Sequence, residues 1–117
     1  MKILMLIFPA LFYLMPAMLP AQAPQWETYM GQYENGPGST ILDMSVKDKA
    51  PVKSLPFLLV TGINFEKCNT DGLPEQEAFS QLYKVSDVVK LCVDSAVENV
   101  FAGTFTYQCE RLDYYYI

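Results

Sequence analysis

Pro74-Glu75-Gln76-Glu77-Ala78-Phe79-Ser80-Gln81-Leu82-Tyr83-Lys84-Val85-Ser86-Asp87-Val88-Val89-Lys90-Leu91-Cys92-Val93-Asp94-Ser95 is the stretch on which the fold turns. Proline suits the first helical position, where its missing N–H is no loss, and Glu75 and Glu77 complement the positive end of a helix dipole. Ala78, Leu82, Val85, Val89, Cys92 and Ala96 recur at alternating steps of four and three, with Phe79 and Val93 alongside. That spacing predicts a helix from about Pro74 to Ser95 with one apolar face, Leu82, Val85, Val89 and Cys92 being its buried stripe. Such a face must be covered, and the flanking segments read as the sheet that covers it.

On the N-terminal side, Trp26 to Tyr33 is rich in strand-favouring aromatics and runs into Asn35-Gly36-Pro37-Gly38, a turn signal. Ser39 to Val46 alternates Ile41, Asp43 and Ser45 against Leu42, Met44 and Val46, the second set being the expected core face, so the two segments predict a hairpin. Lys47 to Pro56 has two prolines and no period and reads as a loop. Phe57 to Phe65 is almost continuously apolar, as expected of a central strand. On the C-terminal side, Asn99 to Tyr107 and Arg111 to Ile117 predict a second hairpin, with Gln108-Cys109-Glu110 at its turn. The expected fold class is α+β: a two-layer sandwich in the order β-β-β-α-β-β, with an antiparallel meander, a right-handed crossover helix and a closing hairpin.

Residues 1–21 differ in kind from this body. Lys2 begins the chain's positive end, Ile3 to Leu19 is almost wholly apolar, and Leu19-Pro20-Ala21-Gln22-Ala23 holds the small residues of a cleavage region. This is the pattern of a secretion signal cut after Ala21, leaving one domain, 22–117, in the periplasm or outside the cell. Pro9 and Pro16 interrupt the apolar run, which argues against its retention as a membrane anchor.

The 117 residues carry 8 basic and 13 acidic side chains, a net charge of -5. Loss of Lys2 with the leader leaves 7 basic against 13 acidic, or -6. Lysines scattered among acids present no basic face, so nucleic acid is excluded as an expected partner. With no histidine, the chain lacks a Ser/His or Cys/His pair and an imidazole metal site. It also lacks a phosphate-cradling Gly-rich loop ending in Lys-Ser/Thr and a dinucleotide fingerprint, so no cofactor is expected.

Glu66, Asp71, Glu75 and Glu77 gather around the loop before the helix, but their spacing fits no calcium loop and reads as a solvated turn with helix-dipole acids. Arg111, the only arginine, is suited to clamping an anion or, more simply, to pairing with Glu98 or Glu110. Tyr107 and Tyr115, with Tyr114 and Tyr116, are candidates for a stacking surface toward protein or carbohydrate. Strand alternation sends Tyr114 and Tyr116 one way and Tyr115 the other. Arg111, Tyr107 and Tyr115 are the candidate binding residues.

Of three cysteines, Cys92 falls on the helix's apolar stripe and reads as a buried thiol. Cys68 follows the third strand and Cys109 lies in the last turn, which a crossover brings to the same end of the sheet. A Cys68–Cys109 disulfide is the expected pairing, two exposed thiols the alternative.

Four segments resemble a bacterial family, the domain of unknown function 695: Trp26-Glu27-Thr28-Tyr29, Gly72-Leu73-Pro74, Ala102-Gly103-Thr104-Phe105-Thr106 and Arg111-Leu112-Asp113-Tyr114-Tyr115-Tyr116. The resemblance implies a ferredoxin-like layout and no particular activity. It departs in two places: Gln108-Cys109-Glu110 stands where Asn-Gly is usual before the Arg, and a final helix and strand seen in relatives do not follow the aromatic strand. The function expected is a non-catalytic extracytoplasmic binding or interaction module, with a carboxylate-based hydrolase as the alternative.

Overall fold

A computed structural model describes residues 23–117, so the secretion signal expected over residues 1–21 lies outside the described residues. Among the described residues the strands are β1 (Trp26–Tyr33), β2 (Gly36–Asp43), β3 (Leu58–Asn64), β4 (Val100–Tyr107) and β5 (Glu110–Tyr116), and the one α-helix, α1, spans Phe79–Ala96. Two short 3-10 turns, Met44–Val46 and Gln76–Ala78, are interposed along the chain. The class is α+β: among the described residues, α1 is layered on one face of a five-stranded sheet.

Strand order in the sheet is β1-β2-β4-β5-β3, and every neighbouring pair is antiparallel. This corrects the meander: β2 pairs with β4 rather than β3, and β3 lies at the edge beside β5. Continuous apolar character led β3 to be read as central. Its apolar residues instead leave Phe57 and Leu58 exposed at an edge that no described element covers. The β1–β2 turn is also earlier than the Asn-Gly-Pro-Gly signal suggests, because Gly36, Pro37 and Gly38 already pair with Tyr33, Gln32 and Gly31.

β4 and β5 are joined by the two residues Gln108 and Cys109, with φ of 49° and 60°. Two successive left-handed residues match the right-handed strand twist of a tight hairpin, a conformation that Asn-Gly adopts far more readily. Three contacts hold this turn. Cys109 N–H donates to the Gly72 carbonyl at 2.8 Å, Phe65 N–H donates to the Cys109 carbonyl at 2.9 Å, and Cys109 is disulfide-bonded to Cys68 with a Cα separation of 5.7 Å. Gly72, at φ 83°, has to be glycine twice over, since a Cβ there would come within 2.9 Å of the Gln108 backbone.

The helix buries Leu82 and Val93, with Ala78 just before it. Of the predicted stripe Leu82 is buried and Val89 half-buried, but Val85 is exposed and Cys92 is an exposed free thiol, and Val88 and Leu91 beside them are 59% and 69% exposed. Apolar residues cover a wider arc of α1 than the sheet beneath it can bury.

Beneath the helix lie Thr104 and Thr106 of β4 and Arg111, Asp113 and Tyr115 of β5, all buried. Asp113 accepts hydrogen bonds from Thr104 Oγ1 at 2.6 Å and from Ser86 Oγ of α1 at 2.9 Å. Arg111 Nε lies 3.6 Å from Asp113 Oδ1, and its guanidinium sits over the Tyr83 ring at 5.5 Å. The ion pair expected with Glu98 or Glu110 is therefore made with Asp113, two residues along the same strand and so on the same face. Aromatic packing extends this layer through Tyr115, Phe101 and Trp26.

Candidate functional site

Among the described residues no helix covers the sheet's second face. Register places Tyr29, Tyr33, Thr40, Leu42, Gly103, Phe105, Tyr107, Tyr114, Tyr116, Leu58 and Val60 on this side, opposite to Asp113 and Tyr115. The anchor at the β1–β2 end is Tyr33. Gly31 and Gly38 face each other across β1 and β2, and a Cβ on either would come within 2.9 Å and 2.7 Å of the Tyr33 ring. The bare backbone of the two glycines is thus a seat for that ring. Tyr33 then meets Phe105 and Tyr107 edge-on, at 5.4 Å and 5.5 Å between centroids, while Phe105 and Tyr107 stack at 5.8 Å. Tyr107 Oη accepts the Asn35 N–H at 2.9 Å and ties this cluster to the first hairpin's turn.

In the middle of the face, the register of β4 and β5 slips between Phe101 and Gly103, leaving Ala102 as an extra residue. Such a bulge bends its strand. It also lets β2 approach closely at Gly103, where a Cβ would meet the Ile41 carbonyl, and Leu42 leans over the vacant position. The result is a shallow cleft of about 430 Å³ floored by Gly103 and Thr40 and walled by Tyr33, Leu42, Phe105, Leu58, Tyr114 and Tyr116. No charged side chain lines it. Leu42, Ala102 and Tyr116 also border a neighbouring cavity of about 330 Å³ against Val46 and Ala50, so the groove continues toward the loop after β2.

The three residues expected to share a binding surface are divided by this arrangement. Tyr107 belongs to the open face, whereas Arg111 and Tyr115 are 8% and 1% exposed under the helix and reach no surface ligand. Alternation separated Tyr115 from Tyr114 and Tyr116 and left open which side was covered. The glycine seat under Tyr33 escaped the sequence reading, although a register pairing Tyr33 with Gly36 would have placed Gly31 opposite Gly38.

A third cavity, about 390 Å³, opens between the end of β3 and α1, bordered by Ile63, Phe65, Ala78, Leu82 and Val85 with Glu66 and Lys67. Of the acids before the helix, Glu77 is ion-paired to Lys67 at 3.0 Å on the surface. Among the described residues no group of three or more His, Cys, Asp or Glu is arranged to hold a metal ion, and no helix is long and apolar enough to cross a membrane.

These features define a two-layer α+β domain with one sheet face under a helix and the other an open aromatic surface. The chain belongs to the family of unknown function DUF695, whose profile matches residues 24–117. Neither a curated protein nor a solved structure matches it.

Proposed function

We propose that the chain is a non-catalytic extracytoplasmic binding module that takes a protein segment bearing apolar or aromatic side chains on its open sheet face. The observation that carries this reading is the cleft walled by Tyr33, Leu42, Leu58, Phe105, Tyr114 and Tyr116. A lining of rings, aliphatic groups and phenol hydroxyls, with no ionised group, suits a ligand that is apolar where it is buried and polar at its rim. A sugar presents rows of hydroxyls that call for carboxylate or amide side chains, and this lining offers neither. The hydrolase alternative needs two facing carboxylates; of the three cavities described, one is bordered by Glu66, one by Asp43 and the third by no acid. The extracytoplasmic setting rests on the leader-like residues 1–21.

The test is binding of the purified protein to peptide and glycan arrays, beside a Tyr33→Ala/Tyr114→Ala variant. Selective peptide binding that the variant loses is the expected result. Binding that survives both substitutions, or that is confined to glycans, overturns the reading. For the setting, intact mass of exported material should lack Met1 to Ala21, and retention of Met1 overturns it.

A further inference from the structure

Among the described residues β3 is one of the sheet's two edges, and its outer side is chemically specific. Phe57 and Ile117 exchange both backbone hydrogen bonds at 2.9 Å, and Phe65 N–H donates to the Cys109 carbonyl. In an antiparallel ladder such bonded pairs recur at every second residue, so Leu59, Thr61 and Ile63 also bond to β5. Leu58, Val60, Gly62 and Asn64 therefore turn their N–H and C=O groups outward. Natural edges are ordinarily blunted by a lysine, a proline or a bulge. From Leu58 to Asn64 there is none of these, whereas the opposite edge, β1, carries Glu27.

The strand that fits this edge can be specified. On one side its residues would continue the open face beside Leu58 and Val60, which are 55% and 44% exposed. On the other they would lie beside Ile63 and near the exposed Val85 of α1, which borders the same cavity. It must carry no charge, a condition β3 itself meets: paired antiparallel with a second copy about Thr61, it sets Asn64 and Gly62 beside Leu58 and Val60 on the open side and Leu59 beside Ile63 on the other.

Charge selects the same occupant and its direction. In the loop before β3, Lys53 stands nearest the strand, Lys47 and Lys49 lying back toward the end of β2, where Lys49 faces Asp43. Beyond its other end Glu66 follows directly and Glu75 and Glu77 stand around one lysine, Lys67, whereas Asp71 lies away from the edge beside Gly36 of β2. Antiparallel pairing of two identical strands sets the basic end of each copy against the acidic end of the other, while parallel pairing sets like against like.

We infer that two copies of the chain associate through β3, antiparallel about a two-fold axis near Thr61, into one ten-stranded sheet. The contact is isologous, as two-fold dimers require. It joins the open faces of the two copies, and the second copy's strand closes each cleft on its Leu58 side. Dimerisation stands independently of which ligand the face takes.

The experiment uses protein produced from the whole chain, in the form the host leaves it, and follows sedimentation velocity across concentration and salt. A dimer is expected, with the amides of Leu58, Val60, Gly62 and Asn64 protected from hydrogen exchange. Val60→Lys places a charge at an exposed edge position and should raise the dissociation constant on the order of tenfold or more, with unchanged circular dichroism. Added salt should weaken the wild-type dimer. A monomer at every concentration overturns the inference. So does a dimer that Val60→Lys leaves intact, one that leaves those four amides unprotected, or one that salt tightens. If Val60→Lys does not fold, the exchange pattern of the unsubstituted protein decides.

Discussion

Ser86 of the helix donates its hydroxyl to Asp113 of the last strand at 2.9 Å, the one side-chain hydrogen bond that crosses from α1 to the sheet among the described residues. The carboxylate that receives it is 2% exposed and also holds Thr104 and Arg111. The helix is therefore oriented by a buried polar cluster rather than by apolar contact alone. Removing the carboxylate leaves Arg111 charged and unpaired beneath Tyr83. Asp113→Ala should lower unfolding stability by about 3 to 5 kcal/mol in urea titration, and Ser86→Ala by about 1.5 to 3 kcal/mol.

The phase of α1 is open to a paired substitution. Val93→Asp should cost several kcal/mol, because it buries a charge with no partner, and Leu82→Ala about 2 to 5 kcal/mol. Val88→Asp, on the exposed flank, should stay within about 0.5 kcal/mol. Equal effects at Val93 and Val88 in thermal unfolding would contradict the orientation described.

Cys68 and Cys109 should resist alkylation in non-reduced protein while Cys92 reacts readily, as peptide mapping can read. Loss of the bond frees a loop spanning 41 residues, about 4 kcal/mol in the chain-entropy treatment. Because Gln108 and Cys109 are both left-handed, replacing them by Asn-Gly should recover part of that loss when Cys68 is replaced by Ser, relative to the Cys68→Ser/Cys109→Ser protein.

Gly38→Val should drive Tyr33 from its seat, since a Cβ there meets the ring at 2.7 Å. The expected loss is about 1 to 3 kcal/mol of stability, with a changed ring environment for Phe105 and Tyr107 in NMR spectra. Gly31→Val should do the same, and Tyr33→Ala combined with Gly38→Val should be milder than the sum of the two, because Tyr33 supplies the nearer part of a clash that Phe105, at 2.9 Å, completes.

Stability should fall at both ends of the pH scale for identifiable reasons. Burial pushes the Asp43 carboxyl up, but the Ser45 hydroxyl and the N–H groups of Gln25 and Ser45 outweigh it and hold the group below its ordinary 3.8. The bonds from Lys90 and Asn99 hold Asp94 low in the same way. Depressed acids stabilise above their unfolded pKa, so this contribution is lost as pH falls below about 4. Burial, with the charges of Asp113 and Asp94, raises the Tyr115 phenol above its ordinary 10.0. Its contribution is complete below that value and is lost as pH rises past it. Urea midpoints between pH 2 and 11 should show both limbs, with Asp43→Asn flattening the acid limb and Tyr115→Phe the alkaline one.

Periodicity made α1 and the two hairpins legible, because an apolar repeat reports that a face exists. It placed Leu82 and Val89 toward the sheet but not the limit of the buried arc, since Val85, Val88, Leu91 and Cys92 widen the apolar face beyond what one sheet covers. The same ambiguity misplaced β3: seven residues without a charge look alike whether a sheet closes over them or ends at them. Alternation sorted Tyr115 from its neighbours but could not assign sides, which depend on where the helix lands. The bulge at Ala102 has no local signature beyond Gly103, and it shapes the middle of the cleft.

The glycine seat at Gly31 and Gly38 bears on the entropy of recognition. An exposed tyrosine ordinarily samples several rotamers, and immobilising a side chain on binding costs roughly 0.5 to 1.5 kcal/mol. Tyr33 is confined beforehand, pressed onto backbone on one side and abutted by Phe105 and Tyr107. Whatever molecule settles on this face meets a ring whose freedom was surrendered when the chain folded, so that share of the ordering penalty falls on folding and not on association.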